Sequence, residues 1–150
     1  MTQADCPLCT STGGELVFQG AQFRVIRADE PGFPAFYRVV WRHHVAEMSD
    51  LSPAERSLCL AAVNKVELAL RQHLQPRKIN LAALGNMVPH LHWHVVARFT
   101  WDSHFPAPVW APSVRAVDAM AVADVVARRA AMEQDMQREL SALVLLESVS

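Results

Sequence analysis

At 150 residues the chain is long enough for one ordinary core, and nothing in it marks a boundary, so residues 1–150 are expected to form a single domain. Fourteen basic side chains against fifteen acidic ones leave no overall field that would gather a nucleic acid polymer or an anionic membrane, and any anionic partner must be captured locally. The first thirty residues carry Asp5, Glu15 and Arg24 and no long apolar run, which fits neither a signal peptide nor a membrane span and points to a cytoplasmic protein.

A loop holding Cys6, Cys9 and Gly13-Gly14 comes first. With Cys59 these cysteines form an odd set, two of them too close together to brace a fold, so a disulfide framework is not expected. The runs ELVFQ and QFRVIRA surround Gly20 and predict a hairpin. DEPGFPAF is a loop, because Pro31, Gly32 and Pro34 do not fit together in a ladder. FYRVVWR then alternates as a half-buried strand that delivers His43 and His44.

Ser52-Pro53-Ala54-Glu55 combines an N-cap serine, a proline at the first helical position and a glutamate at the third, so a helix is predicted from Pro53 to about His73. Leu58, Ala62, Val66, Ala69 and Leu70 share one stripe of it, which must cover a sheet, and Gln75-Pro76 ends it. Cys59 lies on or beside that stripe and reads as core. KINLAAL and LHWHVVARF predict two further strands separated by the turn-like GNMVP. From Asp118 to about Leu146, Val122, Val125, Val126, Met132, Met136, Leu140 and Leu143 recur at helical spacing. The expectation is an α+β fold: an antiparallel sheet of about five strands, one covering helix and a long C-terminal helix.

The strand HLHWHVV places His90, His92 and His94 at alternate positions, so a regular strand would set them on one face, with Leu91, Trp93 and Val95 on the other. Three readings compete. The first is a set of exposed polar positions on a half-solvated sheet. The second is a metal site made by the row, but at a rise of roughly 3.3 Å per residue the outer alpha carbons stand roughly 13 Å apart, far for one ion. The third is a catalytic row on a phosphate ester or anhydride, in which the central imidazole attacks phosphorus and its neighbours hold the oxygens. Geometry favours the third.

HLHWHVV resembles the histidine-triad signature of the HIT superfamily of nucleotide hydrolases and transferases. The likeness extends to VVWRHHVAEMSDLSPAE, PGFPAF and VVARF, and so covers about residues 6–100, with residues 101–150 as an extension and terminal helix. The resemblance implies that His92 is the nucleophile that forms a nucleotidyl-histidine, that His94 and His44 surround the phosphate, and that His90 supports the central imidazole. It further implies phosphate or substrate contacts from Asn86, Asn80 and Gly85, and a ribose contact near Asp29. It implies a homodimer too, and the Met-rich terminal helix offers apolar surface for one.

The chain departs from the family pattern at several places. Met87 stands where many members carry a hydroxyl, Trp41 and Ala97 replace prolines, and Asp29 is displaced by one position from the acidic residue that holds a ribose. WDSHFPAPVW adds Trp101, His104 and Trp110 just after the triad, the tryptophans either as packing anchors or as the lining of a base or leaving-group pocket.

Cys6-Pro7-Leu8-Cys9 has the spacing of half a zinc site. Some members of the resembling superfamily complete a structural zinc with the upstream histidine and the first of the triad, which implies the set Cys6, Cys9, His44 and His90. The alternative is a turn without metal, with His44 and His90 acting directly on phosphate. The implied function is nucleotidyl hydrolysis or transfer at the α-phosphate of a dinucleoside polyphosphate or nucleotide conjugate, with no cofactor needed for the attack. Two other readings remain: a non-catalytic nucleotide-binding or zinc-stabilised regulatory module, and a metal hydrolase using two row histidines and His104.

Overall fold

The alternating segments of the sequence form a five-stranded antiparallel sheet in the computed structural model, which describes residues 3–147. β1 (Glu15–Gln19) and β2 (Phe23–Arg27) make the hairpin predicted around Gly20, with a register shift between Leu16 and Phe18. β3 (Phe36–Trp41) pairs with β2 on one side and with β5 (His92–Arg98) on the other, and β4 (Lys78–Ala82) takes the edge beyond β5. The order is therefore β1-β2-β3-β5-β4.

A four-residue turn of helix, α1 (Pro7–Thr10), opens the chain. α2 (Pro53–Leu74) starts with the reciprocal cap that its sequence encodes: Ser52 Oγ accepts from the Glu55 amide at 3.3 Å, and the Glu55 carboxylate accepts from the Ser52 amide at 2.8 Å. It stops where Gln75 turns left-handed at φ 49°. α3 (Ala119–Glu147) starts on the Asp118 carboxylate, which accepts the amides of Met120 and Ala121 at 3.1 and 3.0 Å. No helix among the described residues is long and apolar enough to cross a membrane.

One sheet face is the core. Val25, Tyr37, Val39, Trp41, Val95 and Ala97 are buried on it beneath Leu58, Ala62, Val66 and Leu70 of α2, and beneath Val125, Met132, Met136 and Leu140 of α3. Truncating one of these larger side chains to alanine costs roughly 2–5 kcal/mol. The long helix is thus a second cover for the same face, laid beside α2 and tied to it by Lys65 with Glu139 (2.8 Å) and His73 with Asp135 (2.9 Å). Met132 and Met136 are fully buried in this core, so part of the apolar surface expected on the terminal helix for a partner is spent inside the chain, while Met120 and Val126 stay exposed.

The opposite face is covered only at its two ends. Cys6 and Leu8 pack on Ile26 and Val40 at one end, and Ala28 and Phe33 pack with Phe36 and Val96 at the other. Arg24 pins the first cover by donating to the carbonyls of Leu8 (2.8 Å) and Thr12 (3.1 Å). Between the two apolar patches lie Arg38, His92 and His94, of which His92 is buried and the other two are half-buried.

β5 begins at His92, two residues later than the row of three requires. The His90 amide donates to the Val88 carbonyl at 2.8 Å, a tight local turn that takes His90 out of the ladder. Only His92 and His94 therefore share the strand face. His90 is turned inward and is fully buried.

Candidate functional site

Two hydrogen bonds define the chemistry of the histidines. Nδ1 of His92 lies 2.6 Å from the His90 carbonyl oxygen. A carbonyl only accepts, so Nδ1 carries the proton and the Nε2 lone pair of His92 is left for attack. In the same way Nε2 of His90 lies 2.6 Å from the Trp41 carbonyl, so that nitrogen is the donor and Nδ1 of His90 presents a lone pair.

That second lone pair faces sulfur. Nδ1 of His90 is 3.4 Å from the Sγ of both Cys6 and Cys9, and Nδ1 of His44 is 3.4 Å from Sγ of Cys9. All four ligand atoms lie within 4.8 Å of one another. Tetrahedral zinc with bonds of about 2.3 Å to sulfur and about 2.05 Å to nitrogen places neighbouring S and N ligands about 3.6 Å apart, so the donor set fits the ion in type, number and spacing. No other group of three or more His, Cys, Asp or Glu with such spacing occurs among the described residues. His104 is elsewhere, with its Nδ1 2.9 Å from Ser103 Oγ and its ring 5.0 Å from that of Phe33, so no metal centre joins it to the row.

His94 continues the strand face. Its ring centroid is 4.9 Å from that of His92, and it meets the Phe36 ring edge-on at 5.5 Å. Burial, reinforced by His92 and Arg38, pushes the His94 pKa down to about 4, so the ring is neutral at physiological pH. Burial also lowers the His92 and His90 pKa values, against the hydrogen bonds to the His90 and Trp41 carbonyls, which favour their charged forms. Neutral imidazole at His92 is the form a nucleophile needs.

Two cavities flank His94. One, of about 510 Å³, is lined by Gly85, Asn86, Met87, Pro7, His92 and His94 among others. The other, of about 870 Å³, is lined by Asn80, Leu81, Val96, Trp110, Glu30 and His94 among others. The structure therefore brings Asn86, Gly85 and Asn80 beside the triad. Gly85 adopts φ 73°, a left-handed conformation that an L side chain rarely accepts. Asn80 accepts from Arg98 Nη1 at 2.8 Å.

Asp29 is exposed and lines a third cavity with Arg27, Gly32 and Arg129, whereas Glu30, one residue on, is the acidic side chain that also reaches the cavity beside His94. The Nδ1 atoms of His44 and His90 are turned to the thiols, and the other ring nitrogen of His90 is taken by the Trp41 carbonyl. The two tryptophans divide the roles weighed for them. Trp101 stacks on Phe99 at 4.6 Å against the core, while Trp110 is 69% exposed and lines the larger cavity. Cys59 is buried and its thiol is pushed up to about 11 by that burial, as a core residue should be.

The sequence did not single out two features. Arg38 on β3 stands directly opposite His94 in the ladder, so a charged side chain joins the row from the neighbouring strand. Arg98, almost fully buried, forks onto Asp102 at 2.8 and 3.1 Å, and Asp102 also accepts the amides of Phe99 and His104 at 3.1 and 3.0 Å. Burial alone would raise the Asp102 carboxyl, but the bonds from Arg98, His104 and Phe99 outweigh it and hold the pKa below the ordinary value. This node moors the segment after the triad strand and, through Asn80, the edge strand. The i,i+4 Arg/Asp spacing was the available signal.

The model of the HIT domain matches residues 12–101. Among solved structures, a histidine triad protein from Marinobacter aquaeolei VT8 is similar at TM-score 0.70 and 22% identity, covering 95% of this chain and 98% of that one. A histidine triad protein from Bradyrhizobium japonicum is similar at TM-score 0.64 and 26% identity, covering 84% and 91%. A zinc-bound histidine triad family protein from Mycobacterium smegmatis is similar at TM-score 0.52 and 20% identity, covering 91% and 88%. No curated protein matches the chain.

Proposed function

The chain belongs to the HIT domain family, a class of nucleotide-binding hydrolases and transferases, and from that premise we propose that it cleaves at the α-phosphate of a dinucleoside polyphosphate or nucleotide conjugate through a nucleotidyl-histidine on His92. One observation carries this reading: the 2.6 Å bond from Nδ1 of His92 to the His90 carbonyl, which leaves Nε2 as the free nucleophile.

In the first step the Nε2 lone pair of His92 attacks the α-phosphorus, a P–N bond forms, and the P–O bond to the leaving arm breaks with its electron pair on oxygen. A leaving phosphate is already a stable anion and needs no proton to depart. In the second step water attacks phosphorus, the P–N pair returns to Nε2, and the second water proton is lost to solvent. An acceptor hydroxyl or phosphate in place of water turns hydrolysis into transfer.

His94, neutral and beside His92, contacts the phosphate oxygens, and the Gly85-Asn86 turn and Asn80 supply polar contacts from the flanking cavities. Asp29 is too far round the loop to share those cavities, and Glu30 is placed to take the ribose instead. His44 and His90 act by position: with Cys6 and Cys9 they would hold a structural zinc that anchors the N-terminal loop and fixes the His90 carbonyl. The attack itself needs no cofactor. Reduced Cys6 and Cys9 suit a cytoplasmic setting, residues 1–150 act as one domain, and the working form is a homodimer with a nucleotide as its small-molecule partner.

A second reading, a non-catalytic nucleotide-binding or zinc-stabilised regulatory module, is favoured by Met87, which is 93% exposed and offers no hydroxyl to a phosphate. The test is AMP release from a diadenosine polyphosphate by the wild type and by His92→Ala, with intact-mass detection of the protein. Release and a nucleotidyl adduct with the wild type alone are expected. Nucleotide bound but recovered intact from the wild type would favour the module.

A further inference from the structure

Arg38, His94 and Leu84 are the residues that line both cavities beside the triad. A site with two chambers meeting at one imidazole suits a substrate with two arms joined through phosphate. Lys78 lines the larger cavity alone, and among the described residues Arg38 is the cation that lines both. The ladder fixes it there, since Arg38 pairs with His94 on one side and with Ile26 on the other. Its guanidinium sits 5.3 Å over the Phe36 ring, which orients the plane without using an N–H.

Its hydrogen-bonding capacity is largely unspent. Nη2 makes one long contact, 3.4 Å to the Glu30 carboxylate, and that carboxylate is 41% exposed. Nε is buried and has no partner among the described residues. The Nη1–Nη2 end of the guanidinium, engaged only by that long contact among the described residues, presents a two-pronged edge that matches two phosphate oxygens. Met87, a 93% exposed thioether on the same cavity, offers no donor, so this corner holds a charged donor where a hydroxyl donor is missing.

We infer that Arg38 binds the phosphate of the leaving arm, with the body of that arm in the Trp110-lined cavity, so that the site selects nucleotide conjugates carrying at least one phosphate beyond the attacked phosphorus. The inference rests on the His92 reading above and narrows its substrate class. The bond that breaks is the same α-phosphorus to oxygen bond, and Arg38 neutralises charge on the phosphate that departs. A conjugate whose leaving arm is an amine gives this guanidinium nothing to hold. Trp110 supplies an exposed aromatic face for a base or other flat group at the far end of the arm.

The experiment compares kcat/KM for a dinucleoside tetraphosphate and for a nucleoside 5′-phosphoramidate in the wild type, Arg38→Gln, Arg38→Lys and Trp110→Ala. Arg38→Gln is expected to lower the ratio of polyphosphate to phosphoramidate turnover by roughly ten- to hundredfold, the loss expected for a charge-assisted hydrogen bond. Arg38→Lys restores part of the ratio because it returns the charge without the fork, and this guards against a folding defect in the glutamine variant. Trp110→Ala raises KM for the polyphosphate more than for the phosphoramidate. Equal losses on both substrates in Arg38→Gln would overturn the inference and leave the His92 mechanism standing. A wild type that turns over neither substrate and forms no adduct would overturn both.

Discussion

The carbonyl oxygen of His90 receives the Nδ1 proton of His92 at 2.6 Å, while the ring of His90 itself faces two thiols at 3.4 Å. One residue thus belongs to both halves of the site: its side chain to the metal-ligand set and its backbone to the nucleophile. Anything that fixes the ring also fixes the carbonyl, and with it the tautomer of His92.

Zinc held by this set would, through this link, be a stabiliser of the fold first. An ion that binds only the folded state stabilises it by RT ln(1 + [L]/Kd), about 4 kcal/mol when free zinc is a thousandfold above Kd. The wild type should therefore melt at a higher temperature with zinc than after chelation. Cys9→Ser and His44→Ala should melt alike under both conditions, and His92→Asn should keep the full shift. A wild-type melting temperature indifferent to zinc, or a shift lost in His92→Asn, would refute the assignment of ligands.

The buried His94 ring makes stability depend on pH. Its folded pKa is about 4 against an ordinary 6.5, so as pH falls the unfolded chain takes up the proton first. The stability contributed by neutral His94 is present above pH 6.5 and is lost as pH falls toward 4, at up to about 1.4 kcal/mol per unit. Denaturant unfolding at pH 7 and pH 5 should show the wild type losing up to about 2 kcal/mol more than His94→Gln. Effects of acid on the rest of the protein are common to both variants and cancel in the difference. Parallel losses would show that the ring is solvated.

Much of this was legible because it depends on local rules. The two-residue period of HWHVV, the Ser52–Glu55 cap and the apolar stripe of α2 are each written within a few residues, and each forms as read. The Cys6, Cys9, His44 and His90 set came from a resemblance, and the structure gathers it. What escaped depends on distant pairing or on burial. Arg38 joins the site only through the register of β3 against β5, which no stretch of β3 declares. His90 leaves the row because its amide bonds to Val88 instead of the ladder, and Met132 and Met136 turn inward because α3 lies beside α2. The Arg98–Asp102 pair escaped because its i,i+4 spacing, met outside a helix, says nothing of the burial that makes the pair matter.

That pair should be among the most sensitive positions outside the core. Asp102→Ala strands a guanidinium that is 2% exposed and leaves the amides of Phe99 and His104 without their acceptor. Breaking one side of a buried pair costs about 3–5 kcal/mol. The variant should show that loss in denaturant unfolding, and its 102–118 segment should exchange amide hydrogens faster. A loss below about 1 kcal/mol would place the pair in the class of surface bridges.

Met132 and Met136 are spent in the core, so a homodimer has only the remaining exposed side chains of the terminal helix and of the sheet edge to use. Apolar side chains are left exposed on α3, where Met120 is 85% and Val126 45% exposed, and on the edge strand, its following loop and α2, where Leu81 is 44% exposed, Leu84 51%, Leu60 49% and Leu68 37%. β4 is also an end strand of the sheet, and a row of open backbone groups beside exposed leucines is a surface that pairs with a copy of itself. Covering each leucine is worth roughly 1.5–3 kcal/mol, enough in sum to matter for association. Scattering or sedimentation of the wild type in dilute solution should give about twice the chain mass, and Leu81→Lys should halve it by putting a charge on the paired edge. A monomeric wild type would remove the dimer, while a dimer that survives Leu81→Lys would move it to another face.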